Sequence, residues 1–82
     1  MRLIFTIKSL KQLEGLPSKE CQKIKRKVIL LKSDPFAGKS LGGKLARYYS
    51  LRAWPYRIIY WVDKENKEVW VASILHRQRA YK

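Results

Sequence analysis

The sequence predicts an α+β fold in two layers, a helical hairpin covering one face of a single sheet. Three observations predict it. Apolar residues in the first part of the chain recur at the helical period. From Leu45 onward they recur at every second position instead. The late alternating segments are joined by short turns, which makes them an antiparallel meander.

Residues 2–7 read as a strand, with Leu3, Phe5 and Ile7 on one face and Arg2, Ile4 and Thr6 on the other. Residues 9–16 carry Leu10, Leu13 and Leu16 along one side of a short helix, which Gly15 and Pro17 end. Ser18 is a good N-cap for a second helix over 19–32, and Glu20 sits in its first turn near the positive end of the dipole. Its apolar stripe is Cys21, Ile24, Val28 and Leu31; Lys19, Lys23, Lys25, Arg26 and Lys27 occupy the other faces. Asp34-Pro35 stops it.

Residues 36–44 form a loop holding three of the four glycines. In the strand over 45–52, Leu45, Arg47, Tyr49 and Leu51 alternate with Ala46, Tyr48, Ser50 and Arg52. Ala53-Trp54-Pro55 is a turn, 56–62 a strand, 63–67 a polar hairpin loop, 68–75 the last strand, and 76–82 a basic tail. The first strand is expected to join the meander in one sheet. The helix stripe is wide enough for one sheet face only, so the other face is left to solvent or ligand.

At 82 residues the chain is expected to be a single domain, 1–82, too small for a two-domain enzyme with a deep cleft. One cysteine, Cys21, excludes an internal disulfide and a Cys-rich zinc site. No metal-ligand cluster and no cofactor motif appear. Ala37-Gly38-Lys39-Ser40 has the look of a P-loop end, but Ser33 stands where the first glycine is required. Apolar runs of about four residues are far short of a membrane span. A soluble, cytoplasmic protein without a membrane partner or small-molecule substrate is expected.

The net charge of +13, from 19 Lys and Arg against 6 Asp and Glu, predicts a polyanionic partner. Its distribution sharpens this. Asp63, Glu65 and Glu68 gather at one hairpin, whereas no acid occurs from Lys39 to Tyr60 or from Val69 to Lys82. Those acid-free segments hold Lys44, Arg47, Arg52, Arg57, Arg77 and Arg79 among Tyr48, Tyr49, Tyr56 and Tyr81. Guanidinium forks for phosphates beside rings for unstacked bases are the means of nucleic-acid recognition. Lys23, Lys25, Arg26 and Lys27 on the second helix are weaker candidates for backbone contact, since a charge run usually marks a solvated face.

Three segments in order resemble the RelE/ParE superfamily of toxins, and archaeal RelE-type mRNA interferases in particular. They are Leu41-Gly42-Gly43-Lys44-Leu45-Ala46-Arg47-Tyr48-Tyr49-Ser50-Leu51-Arg52, Tyr56-Arg57-Ile58-Ile59-Tyr60, and Ile74-Leu75-His76-Arg77-Gln78-Arg79-Ala80-Tyr81. The resemblance implies a RelE-like fold and a type II toxin that enters the ribosomal A site and cuts the mRNA codon there. The implied cleavage is metal-independent, by attack of the ribose 2′-hydroxyl on the adjacent phosphate. By the same resemblance Arg57 contacts the scissile phosphate, Arg77 and Arg79 match the tail arginines, Tyr81 matches the C-terminal tyrosine and Arg52 a basic position before the turn. His76 sits where several relatives have histidine. Bacterial RelE has two lysines on the strand before the turn, where this chain has Tyr48 and Ser50. The implied partners are an acidic antitoxin and the ribosome with its A-site mRNA. ParE toxins share the fold but bind DNA gyrase without cutting RNA, which is the alternative activity; an inactive binding module is a third.

Overall fold

A computed structural model describes residues 1–77. Its elements are β1 (Arg2–Phe5), α1 (Ile7–Glu14), α2 (Ser18–Ser33), β2 (Lys39–Ser40), a 3-10 turn (Gly43–Leu45), β3 (Tyr48–Ala53), β4 (Tyr56–Asp63) and β5 (Glu68–His76). The five strands form one mixed sheet in the order β1-β5-β4-β3-β2. The meander β3-β4-β5 is antiparallel as expected, and β1 joins the same sheet, parallel to β5.

The first strand ends two residues earlier than its alternation suggests, because Thr6 caps α1. The Thr6 hydroxyl accepts from the Ser9 N–H at 3.1 Å and donates to the Ala72 carbonyl at 3.1 Å, so one side chain closes the helix start and ties it to β5. Ile7 thereby leaves the sheet and is exposed on α1. Helix α2 takes in Ser18 as its first residue; Pro17, extended at φ −55° and ψ 151°, precedes it without a side-chain cap bond.

The expected stripe on α2 is the core. Ile24, Val28 and Leu31 are fully buried against Ala53, Ile58, Tyr60, Val69, Val71 and Ile74, and Leu13 of α1 joins them. Cys21 packs at the edge of this core. Tyr49 and Tyr56 also turn toward the helices, Tyr49 stacked on Tyr60 with ring centres 5.5 Å apart. These tyrosines therefore leave the aromatic–arginine set and serve packing.

Two departures lie between α2 and β3. The loop contains the short strand β2, paired with β3 through Lys39↔Ser50 and Ser40↔Tyr49. Gly38 makes this possible: its N–H donates to the Tyr60 hydroxyl at 2.9 Å, and a Cβ there would stand 2.8 Å from both that hydroxyl and the Ser50 carbonyl. Leu45 and Arg47 lie before the strand, because Gly42 and Gly43, at φ 70° and 53°, turn the chain into the 3-10 segment. β5 carries a bulge. Ile59 pairs with Ser73 and Tyr60 with Val71, leaving Ala72 as an extra residue. Among the described residues, no helix is long and apolar enough to cross a membrane.

Candidate functional site

The helices cover one sheet face, and the other is open. Register assigns it Tyr48, Ser50 and Arg52 from β3, facing Trp61, Ile59 and Arg57 from β4. β5 adds Trp70, Ser73 and Leu75, opposite Trp61, Ile59 and Arg57.

At one end Arg52 and Arg57 stand directly opposite each other. Like charges so placed repel. An oxyanion between two guanidinium forks would convert that repulsion into paired charge-assisted hydrogen bonds. The β3–β4 turn closes this end. Lys23 Nζ donates to the Trp54 carbonyl at 2.6 Å and lies 2.9 Å from the Glu20 carboxylate. The Arg77 N–H donates to the Pro55 carbonyl at 2.7 Å, and its guanidinium lies 4.7 Å from the Trp54 ring centre. Lys23 of the helical layer and Arg77 beyond β5 are thus drawn to the turn between the two strand arginines.

The middle of the face is less polar. Thr6, Lys8, Leu41, Leu45, Tyr48 and Ile59 border a shallow hollow of about 470 Å³. The Ser50 hydroxyl is buried and has no hydrogen-bond partner among the described residues.

The far end is aromatic and acidic. Trp61 and Trp70 stack with ring centres 5.5 Å apart and planes 2° from parallel, and Tyr48 meets Trp61 edge-on at 5.9 Å. The Arg47 guanidinium lies 5.6 Å from the Tyr48 ring centre and 5.4 Å from that of Trp61. Glu68 accepts from Trp70 Nε1 at 3.3 Å and pairs with Arg2. Asp63, opposite Glu68, has its carboxyl held below the usual carboxylate range by hydrogen bonds from the Asn66 side chain and backbone.

Among the expected site residues, Lys23, Arg52, Arg57 and Arg77 gather at one end, and Arg47 at the other. Lys44 lies in the exposed 3-10 turn. Lys25, Arg26 and Lys27 stay on the exposed side of α2, in the opposite layer. His76 lies on the helix side, opposite Tyr56 with its ring edge-on at 5.5 Å, and borders a hollow with Lys11, Gln12 and Leu16. The structure does not bring it onto the face that carries Arg57. Arg79 and Tyr81 lie outside the described residues. Sequence reasoning passed over Trp54, taken as a turn residue, and the Trp61–Trp70 stack, which counting back from the 63–67 loop would have revealed. Among the described residues no cluster of His, Cys, Asp and Glu could hold a metal ion.

The helical hairpin on one face of this mixed sheet matches solved structures of RelE toxins. The toxin–antitoxin complex RelBE2 from Mycobacterium tuberculosis contains a chain similar at TM-score 0.85 and 28% identity, covering 93% of this chain and 96% of that one. The isolated Escherichia coli RelE toxin is similar at TM-score 0.78 and 28% identity, over 98% of this chain and 87% of that one. The archaeal RelE–RelB complex from Pyrococcus horikoshii shares the fold at TM-score 0.80, with 23% identity over 96% of this chain and 97% of its counterpart. No curated protein sequence matches. Residues 3–81 match the ParE toxin family of type II toxin–antitoxin systems, parDE, and the chain belongs to that family. It is a RelE/ParE-type toxin of a type II toxin–antitoxin system.

Proposed function

We infer that this toxin is a ribosome-dependent mRNA endonuclease acting in the cytoplasm on the A-site codon. The observation that carries the reading is the cross-strand pair Arg52 and Arg57 on the uncovered face, with Arg77 at the adjoining turn. A phosphate seated there has its reacting phosphorus beside fixed positive charge. The 2′-oxygen loses its proton and attacks the neighbouring phosphorus; the P–O5′ bond breaks and the 5′-oxygen takes a proton. The products are a 2′,3′-cyclic phosphate and a 5′-hydroxyl, and no metal or cofactor takes part. Arg57, with Arg77 and Arg79, stabilises the phosphorane, where charge develops. Tyr81 is left the proton transfers, since Tyr48 and Ser50 offer no lysine base and His76 lies on the helix side of the sheet, away from Arg57. Arg47, Arg52 and Lys44 hold the RNA strand, with Lys23, Lys25, Arg26 and Lys27 as outer backbone contacts. The same charge suits an acidic antitoxin, disordered alone and folding as it covers the basic surface.

Ribosomes programmed with a defined mRNA test this. The protein should cut within the A-site codon, and a 2′-O-methyl group at the cut nucleotide should block it. Arg57→Ala should lower the cleavage rate by about 10²–10³-fold, the loss typical of one transition-state donor. Cleavage by Arg57→Ala at the wild-type rate would overturn the assignment. The match to the ParE family favours a second reading, inhibition of DNA gyrase without RNA cleavage. Inhibited supercoiling with intact mRNA would establish it, and inactivity in both assays would leave a binding module.

A further inference from the structure

Trp54 is 57% exposed at the tip of the β3–β4 turn, whereas Trp61 and Trp70 are half-buried. An indole left this open forgoes much of the burial that makes tryptophan worth carrying. It is nevertheless well fixed. Lys23 holds its carbonyl, Arg77 holds the next one, and the Arg77 guanidinium lies over the ring at 4.7 Å. A ring already held gives up little freedom when a ligand stacks on it. Its neighbours in the chain are Arg52, two residues before, and Arg57, three after, which form the cross-strand cation pair.

We propose that Trp54 is a stacking platform for one unpaired nucleobase of the RNA whose phosphate is held by Arg52 and Arg57. The proposal rests on the RNA reading above and names a base-binding subsite within it. Nucleic acid alternates a charged phosphate with a flat base, and this end of the sheet sets an open ring beside paired guanidiniums. A carboxylate-bearing peptide matches the cations but brings no flat group of its own in each repeat. The Trp61–Trp70 stack at the other end is less open, its rings half-buried against each other and Tyr48.

Each of the three tryptophans carries one indole N–H for NMR to follow, and a single-stranded RNA hexanucleotide is the probe. RNA should shift the Trp54 signal, identified by its loss in Trp54→Ala, and leave those of Trp61 and Trp70 in place. On programmed ribosomes Trp54→Ala should lose about ten- to a hundredfold in kcat/KM, mainly through KM, and Trp54→Phe should recover most of it. A Trp54 signal that stays put at saturating RNA overturns the proposal, as does wild-type kcat/KM in Trp54→Ala. Weakened antitoxin binding by Trp54→Ala, with RNA binding intact, also overturns it and makes the turn a protein contact. RNA that shifts Trp54 while ribosomal mRNA stays uncut supports the subsite and refutes the nuclease reading alone.

Discussion

Replacing Gly38 by alanine tests how the loop bearing Lys44 and Arg47 is fastened to the sheet. The added Cβ meets the Ser50 carbonyl oxygen and the Tyr60 hydroxyl at 2.8 Å each, and the Ser50 carbonyl carbon at 3.0 Å. The backbone at Gly38 is outside the left-handed region, so the cost is one of space alone. Neither neighbour can swing away: the carbonyl belongs to a paired strand, and Tyr60 is fully buried. Overpacking of this kind costs about 1–3 kcal/mol. Displacing the Gly38 N–H from the Tyr60 hydroxyl adds about 1 kcal/mol. Thermal unfolding followed by far-ultraviolet circular dichroism should therefore show a Tm lower by roughly 8–30 °C, at about 4–8 °C per kcal/mol. Combined with Tyr60→Phe, the loss should be less than additive, since the hydroxyl half of the clash is gone, but the Ser50 carbonyl remains. A Gly38→Ala protein melting within about 2 °C of the wild type would refute the close approach.

Other expectations concern the same framework. Burial raises the Tyr60 hydroxyl above its ordinary 10.0, outweighing the Gly38 hydrogen bond that lowers it. The fold thus favours protonated Tyr60: its contribution is complete below pH 10.0 and is lost as pH climbs through the raised value. Denaturant unfolding should show stability falling above that pH, with a shallower fall in Tyr60→Phe. Thr6→Ala should cost about 1–2 kcal/mol by the same measurement, with Thr6→Ser close to wild type, because the hydroxyl supplies both the α1 cap and the bond to Ala72.

The legible parts of the fold are those written in periodicity. Ile24, Val28 and Leu31 announce the buried side of α2, and the alternation through Tyr56, Ile58 and Tyr60 announces the inner side of β4. What stayed hidden depends on partners distant in sequence. Thr6 continues the β1 alternation perfectly, yet hydrogen bonds to β5 and Ser9 make it a cap. Strand β2 is two residues long and has no period to detect. In the site, Arg52 and Arg57 were readable as a pair, since a short turn with alternation on both sides sets them opposite. The facing of His76 was not. Val69 and Val71 face the core, and strict alternation would carry Ser73 and Leu75 there; the extra Ala72 reverses the parity and sends Ile74 and His76 inward.

The sheet order also sets an order of events. Strand β5 meets β4 across a hairpin, Asp63 against Glu68, but meets β1 across 66 residues, Arg2 against Glu68. Closing the hairpin costs far less chain entropy than closing the long loop, so the meander assembles first and β1 docks on an edge already built. What β1 covers is the row of β5 backbone groups from Glu68 to Val71, the kind of edge on which another chain adds a strand. Pairing β1 along β5 therefore shields a sheet edge as well as adding a strand.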